Sequence, residues 1–223
     1  MAEDSRQGFL GALSAEEGDD LRSCGLTRRF ARGAALFHER QLPERVMVVL
    51  SGFVKLVSVS DEGKEVLLAL RGAGDLLGEL GAFDGQPRSA SAIALDGVDA
   101  LVVPVADFKR FLERHPRVAL AIIEMLAMRL RDADRKRIEF AAQDSMSRVA
   151  ARIVELSEHF GEEQDGTIRI ELPISQEELA GWTGCSRDSV VKALQAMRGL
   201  GWIDTERRRI TVFDSEALRR RAA

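Results

Sequence analysis

Cysteine is scarce in this chain: two in 223 residues, Cys24 and Cys185, far apart in sequence. That excludes a disulfide framework and a four-cysteine iron–sulfur cluster held by one chain, and it fits a reducing cytoplasm. Long apolar runs are lacking as well. No stretch of eighteen apolar residues occurs, so no membrane span is expected. The opening MAEDSRQGFLGALSAEEGDD is acidic and has neither a basic start nor a long apolar core, so it is not expected to be a secretory signal. Histidine is sparse: His38, His115 and His159 are scattered, and each reads as a surface or helix-end residue. There is no zinc-binding His pair at helical spacing, no Gly-x-Ser-x-Gly elbow and no Gly-Lys-Ser/Thr phosphate loop. No catalytic residue and no metal site is therefore assigned, and an enzyme is not expected.

Positive charge is short overall but not locally. The net charge is −4. From Ser186 to Ala223 there are nine Arg or Lys and five Asp or Glu, a net of +4, which leaves −8 on residues 1–185. A basic end on an acidic body suits contact with an anionic polymer, because the distribution of charge decides such contact more than its sum.

What is present begins with strands. ARGAALF, RVMVVL, FVKLVSVS, KEVLLALR, SAIAL and VDALVVPV are short apolar runs broken by glycines. VVLSGFVKL and SDEGKEVLLAL read as tight-turn hairpins, and the spacing suggests a sandwich or barrel. Before them SAEEGDDLRSC is expected to be a short helix, with Ser14 as N-cap and Glu17 three residues on.

The texture changes at Asp107. VADFKRFLERHP is a short helix, and Pro116 suits the first position of the next. From there to Gln143 there is no glycine and no further proline, enough for ~40 Å of helix at ~1.5 Å per residue. Ile123, Leu126, Leu130, Ala133, Arg137 and Phe140 form an a/d seam that asks for a partner helix, that of a second chain in a two-fold dimer. Asp144 is expected to cap the helix SMSRVAARIVELSEHF, and the junction is expected to be a hinge and a domain boundary. GEEQDGT reads as an exposed polar loop and IRIELP as a short strand.

Residues 173–203 read PISQEELAGWTGCSRDSVVKALQAMRGLGWI. Ser175 with Glu178 makes a capping box, and Ser186 caps a second helix that runs to Gly199. Ala180, Gly184 and Val190 have the spacing of a helix-turn-helix, and GWIDTERRRITVF reads as the hairpin wing of a winged helix. The first turns of the second helix would meet base edges through Arg187, Asp188, Ser189 and Lys192. Arg187 suits guanine O6 and N7, and Asp188 suits cytosine N4. Ser175, Gln176, Ser186, Arg207, Arg208 and Arg209 are expected to hold phosphates or the helix start and so to fix register.

The order of barrel, long helix, hinge and winged helix-turn-helix resembles the CRP–FNR family of bacterial transcription regulators. The resemblance covers Phe9 to Phe213 and is sharpest at GELGAFDGQPRSA (78–90) and GCSRDSVVKAL. It implies an α+β chain: a cyclic-nucleotide-binding β-barrel of jelly-roll type over 1–115, a dimerisation helix over 116–143 and a winged helix-turn-helix over 144–223. It implies an effector set of Gly78, Glu79, Leu80, Arg88, Ser89 and Ala90, with Glu79 on the ribose 2′-hydroxyl and Arg88 and Ser89 on the cyclic phosphate. A buried phosphate needs a charge-assisted partner, and arginine is always charged. The family's cyclic-AMP binders set a Thr-Ser pair of the long helix against the base. This chain has Ala133 and Asp134 there: Ala133 can only pack, and ionised Asp134 accepts from adenine's amino group or from guanine's N1–H and 2-amino group. Cyclic AMP is the favoured effector and cyclic GMP the other candidate. The partners implied are palindromic double-stranded DNA, a second copy of the chain and RNA polymerase, the last near residues 161–167. A regulator of the same architecture that needs no cyclic nucleotide is the alternative that Ala133 and Asp134 raise.

Overall fold

The computed structural model describes residues 8–60, 63, 65–171 and 174–223. The chain divides into two compact units, Met1–Val59 with Leu68–Arg131 and Ser60–Leu67 with Asp132–Ala223.

In the first unit, α1 (Gly8–Gly11) and α2 (Ala15–Ser23) precede the strands. α2 begins where the sequence places it: Ser14 accepts from the Glu17 N–H, and the Glu17 carboxylate takes the Ser14 N–H at 2.7 Å. Eight strands follow among the described residues, of which β5 alone begins in the other unit's Ser60–Leu67: β1 (Leu26–Phe30), β2 (Ala35–Phe37), β3 (Arg45–Ser51), β4 (Val54–Val59), β5 (Glu65–Arg71), β6 (Leu76–Leu77), β7 (Ser91–Ala94) and β8 (Val98–Pro104). They make two four-stranded sheets, in the orders β1-β8-β3-β6 and β2-β7-β4-β5. Three helices complete the set: α3 (Glu79–Asp84) between β6 and β7, then α4 (Val105–Arg114) and α5 (Pro116–Ala142).

One expected hairpin is a corner instead. β3 and β4 lie in different sheets, and Gly52 at φ 81° turns the chain between them. A Cβ there would run into the carbonyl of Gly97. The other expected hairpin stands, with β4 beside β5, although residues 61, 62 and 64 at its tip lie outside the described ones. β3 shows why these runs are apolar throughout. Val46 and Val48 join a core shared with Leu21, Phe108, Phe111, Val118 and Ile122, while Met47 and Val49 join one shared with Phe37, Val54, Ala92 and Val102. A strand buried on both faces has no polar side to alternate.

α5 sends Ile122, Met125 and Leu126 towards the first of these cores. Leu126, read as a seam residue, therefore faces the barrel. The outward side carries Leu120, Ile123 and Leu130, exposed to 62%, 61% and 63%.

The second unit holds the end of α5, then α6 (Ser145–Phe160), β9 (Gly161–Gln164), β10 (Thr167–Glu171), α7 (Gln176–Thr183), α8 (Arg187–Gly199), β11 (Ile203–Glu206), β12 (Arg209–Val212) and α9 (Ser215–Ala222). Asp144 caps α6 by accepting the Ser147 N–H at 2.9 Å, as expected. GEEQDGT, read as a loop, supplies β9 and a tight turn at Asp165–Gly166. Its strand joins β10 and the β11–β12 hairpin in one sheet, β11-β12-β10-β9. The expected strand IRIELP ends at Glu171, and residues 172 and 173 lie outside the described ones. α9 has no counterpart in the sequence reading.

Candidate effector pocket and nucleic-acid interface

Residues 79–84 of the segment 78–90 form the helix α3. β6 ends at Leu77, and Gly78, at φ 78°, turns the backbone into α3, whose first residue is Glu79. A Cβ on Gly78 would strike the Arg88 guanidinium, so glycine is needed for both conformation and space. Glu79 and Arg88 are buried, 5% and 6% exposed. Arg88 Nη1 donates to the Gly78 carbonyl at 2.6 Å and Nη2 to the Arg45 carbonyl, and the guanidinium lies 4.5 Å over the Phe37 ring. Its Nε has no partner among the described residues. Burial lowers the Arg88 pKa and the nearby Glu79 charge opposes that, but a guanidinium starts so high that it stays charged. The result is a buried cation held by carbonyls and a ring, with no carboxylate bonded to it among the described residues.

Glu79 has a partner that sequence reasoning missed. Arg129 of α5 donates Nη1 to Glu79 Oε1 at 2.7 Å and Nη2 to the Leu76 carbonyl at 3.1 Å, with Asp75 at 3.4 Å. The available signal was spacing: Arg129 is four residues before Ala133, hence on the same helical face. Phe37, Leu56, Leu76, Glu79, Arg88 and Arg129 surround a cavity of about 200 Å³. Leu80, Ser89 and Ala90 line it too, Ser89 being exposed. Ala133 and Asp134 are exposed on the part of α5 that belongs to the second unit, and Asp134 lies 3.9 Å from Arg137 in an exposed pair. Such a pair is weak.

In the second unit, α7 starts at a complete capping box, Ser175 taking the Glu178 N–H at 3.1 Å and Glu178 the Ser175 N–H at 2.8 Å. Gly184 ends it at φ 59°, and a Cβ there would meet the Phe140 ring at 2.6 Å. Ala180 and Val190 are buried, as the spacing requires. Ser186 caps α8 through the Ser189 N–H at 3.1 Å, and the two hydroxyls lie 2.9 Å apart. Gln176, Arg187, Asp188 and Lys192 are exposed. At the wing turn Arg207 and Arg208 are exposed, with Arg208 at φ 63°. Arg209 differs: it pairs with Glu206 at 2.9 Å and with Glu171 at 3.7 Å. The sequence grouped three wing arginines, and the structure commits one of them to internal pairs.

A larger hollow of about 430 Å³ lies among Gln195, Arg198, Ile203, Asp204 and Phe213. Its Arg198 is already paired with Asp204 at 3.1 Å, so it offers no uncompensated charge. His115 bonds Asp20 and His159 bonds the Glu155 carbonyl, both in structural roles. Among the described residues no group of three or more His, Cys, Asp or Glu gathers where a metal ion would fit. No helix among them is long and apolar enough to cross a membrane.

Known proteins share both halves. Residues 27–115 match the cyclic nucleotide-binding domain and residues 147–221 the Crp-like helix-turn-helix domain. The chain is 33% identical over 193 residues to the CRP-like cAMP-activated global transcriptional regulator of Mycobacterium tuberculosis, covering 86% of each. It is 32% identical over 185 residues to the cyclic AMP receptor protein of Thermus thermophilus, covering 83% of this chain and 82% of that one. Among solved structures, FixK2 from Bradyrhizobium japonicum superposes with a TM-score of 0.79 over 89% of this chain and 98% of that one, at 20% identity. A CRP/FNR-family regulator of Thermus thermophilus gives 0.68 at 28% identity over 88% and 98%. With a nucleotide-binding-type barrel ahead of a Crp-like helix-turn-helix, and relatives above 30% identity along most of its length, this chain belongs to the CRP/FNR family of transcription regulators.

Proposed function

We propose that the chain binds a cyclic nucleotide in the cavity at residues 78–90 and, as a cytoplasmic homodimer, regulates transcription from palindromic DNA sites. The observation that carries the effector reading is Arg88, a buried cation at a cavity, whose Nε has no partner and which has no bonded carboxylate among the described residues. Leaving such a group without an anion is costly, and a phosphate supplies one. Glu79 would accept the ribose hydroxyl once Arg129 shifts off it. Ala133 and Asp134 would meet the base, with cyclic AMP favoured, as for the relatives whose names carry it, and cyclic GMP the competitor.

For DNA, Arg187, Asp188, Ser189 and Lys192 would read bases. Ser175, Gln176, Ser186, Arg207 and Arg208 would hold phosphates or the helix start. Arg209 fits better as a strut of the wing, given its two carboxylate partners. The outward stripe Leu120, Ile123 and Leu130 supports the homodimer. The exposed β9–β10 turn is the proposed contact for RNA polymerase.

Calorimetry with cyclic AMP and cyclic GMP tests the effector. The wild type should bind one of them, and Arg88→Leu should lose roughly 10- to 150-fold in affinity, the worth of a hydrogen bond to a charged group. Undiminished binding by Arg88→Leu removes the site assignment. A wild type that binds neither supports the second reading, a regulator acting without a cyclic nucleotide. The Glu79–Arg129 pair, which already occupies the ribose acceptor, is the observation in its favour.

A further inference from the structure

Two helices meeting at a short capped junction suggest a swivel, yet the α5–α6 junction is held from three sides within the second unit. The first hold is a set of buried charges. Arg152 of α6, 3% exposed, donates to Glu139 of α5 and to Glu155 at 2.6 Å. Lys136 of α5 donates to the other Glu155 oxygen at 2.8 Å. Both cations lie over the Trp182 ring of α7, at 5.5 and 5.7 Å. Removing one member of such a set strands a buried charge, so the arrangement resists partial opening. The second hold is Phe140, whose ring rests where a Gly184 side chain would be and lies under Arg148 at 5.6 Å. This residue, read from sequence as the end of the dimer seam, packs on the turn of the helix-turn-helix instead.

The third hold is α9. Its Leu218 and Ala217 are buried, and Arg219 pairs with Glu158 of α6 at 3.3 Å. From that seat Arg221 donates to Asp144 Oδ2 and to the Ser147 hydroxyl, while Asp144 Oδ1 caps α6. The Gln143 side-chain amide donates to the Ala222 carbonyl at 2.8 Å. Both residues between α5 and α6 are thus tied to the C-terminal helix. The Ser147 N–H first, and Arg221 next, hold the Asp144 carboxyl below its ordinary pKa.

We infer that the α5–α6 junction is a locked elbow closed by the C-terminal helix, with Arg221 as its positioning residue. The last turns of α5 then move as one body with the winged helix-turn-helix. In the homodimer proposed above, on which this rests, a fixed elbow presets the angle of each recognition helix and so the spacing between two half-sites. The bonds of Arg221 run to Asp144 and Ser147, outside the recognition helix and the wing, so its loss leaves reading of one half-site intact. It makes the second contact less well placed, which lowers the effective concentration of the second half.

The test uses the full-length protein and a palindromic duplex that it selects from a random pool. The companions are a duplex with one half-site and palindromes whose spacer is one base pair longer or shorter. Arg221→Ala should bind the half-site like the wild type and the palindrome about tenfold more weakly, and it should discriminate less between spacers. Arg221→Lys should recover part of the loss, since an ammonium can hold Asp144 but lacks the two-pronged reach to Ser147. Hydrogen exchange on the wild type is the second measurement: the bonded junction amides, those of Gln143, Ser147 and Arg148, should exchange as slowly as those in the middle of α6. Unchanged palindrome affinity and spacer preference overturn the inference. So does an equal loss on half-site and palindrome, which makes Arg221 a general support or a DNA contact. Fast exchange at the junction overturns it too. Sedimentation of the same samples separates its failure from that of the dimer: if the wild type is monomeric, the exchange result alone decides.

Discussion

Single residues set both the local structure and the pH sensitivity of the first unit. Glu17 caps α2 and lies against Arg117, whose Nε donates at 3.0 Å. Arg117 above all, then the Ser14 N–H, holds the Glu17 carboxyl at about 2 against an ordinary 4.5. A carboxyl depressed in the folded state stabilises it above the unfolded value, and the gain is lost as pH falls from about 4.5 towards about 2. Arg117→Ala should therefore melt below the wild type at neutral pH, with the two melting temperatures converging across that acidic window. Because Arg117 is largely exposed, the neutral-pH gap should be small. A gap that stays constant on acidification means that Arg117 acts through packing. At this scale the sequence was informative where one short segment holds all the parts. Ser14 and Glu17 announce a cap, and Gly78, Glu79 and Arg88, close in sequence, gather at one cavity. Arg129 and Phe37 were invisible because each joins the cavity through a tertiary contact. A lone arginine in an arginine-rich helix carries no local mark of its target.

Helices and turns were more legible than strands. Every expected cap, at Ser14, Asp144, Ser175 and Ser186, accepts its backbone N–H. Caps are short-range chemistry and so survive into the fold. The β3–β4 corner was read as a hairpin because apolar runs flanking a glycine describe both, and only the sheet that each strand joins tells them apart. α9 went unseen because its arginines look like a solvated tail, and its two buried residues make too short a pattern. The turn between α7 and α8 provides an element-scale prediction. Gly184→Ala places a side chain at φ 59° and against the Phe140 ring. Left-handed backbone costs ~1–2 kcal/mol in a residue with a Cβ, and the displaced ring adds to it. Chemical denaturation should show a loss of roughly 2 kcal/mol or more. Made in a Phe140→Ala background, the same substitution should cost less, because the ring is gone. A neutral Gly184→Ala contradicts the turn geometry.

The whole molecule was legible in its order of parts, and the long helix shows where that legibility stops. A heptad read along α5 finds apolar residues at the correct period but cannot say which are already used. Leu126 serves the barrel core and Phe140 the helix-turn-helix turn, which leaves Ile123 and Leu130 of that seam exposed, with Leu120 beside them on the outward side. Three large aliphatic side chains more than half exposed on one helical face are a surface that a second copy can cover. Ile123 is the member to test, being nearly two turns before Arg129 and so removed from the cavity. Burying such a side chain contributes ~1.5–3 kcal/mol. A two-fold interface counts it twice, and Ile123→Glu also brings two carboxylates towards each other across the axis. The dimer dissociation constant should rise at least about a hundredfold, as ~1.4 kcal/mol is a factor of ten. Sedimentation equilibrium reads that directly. The variant should lose the extra affinity for a palindrome while its affinity for one half-site stays at the wild-type level, since α8 and the wing are untouched. A variant that remains dimeric places the interface on a different face of the chain, and one that also loses the half-site shows that α5 supports the fold of the DNA-binding unit.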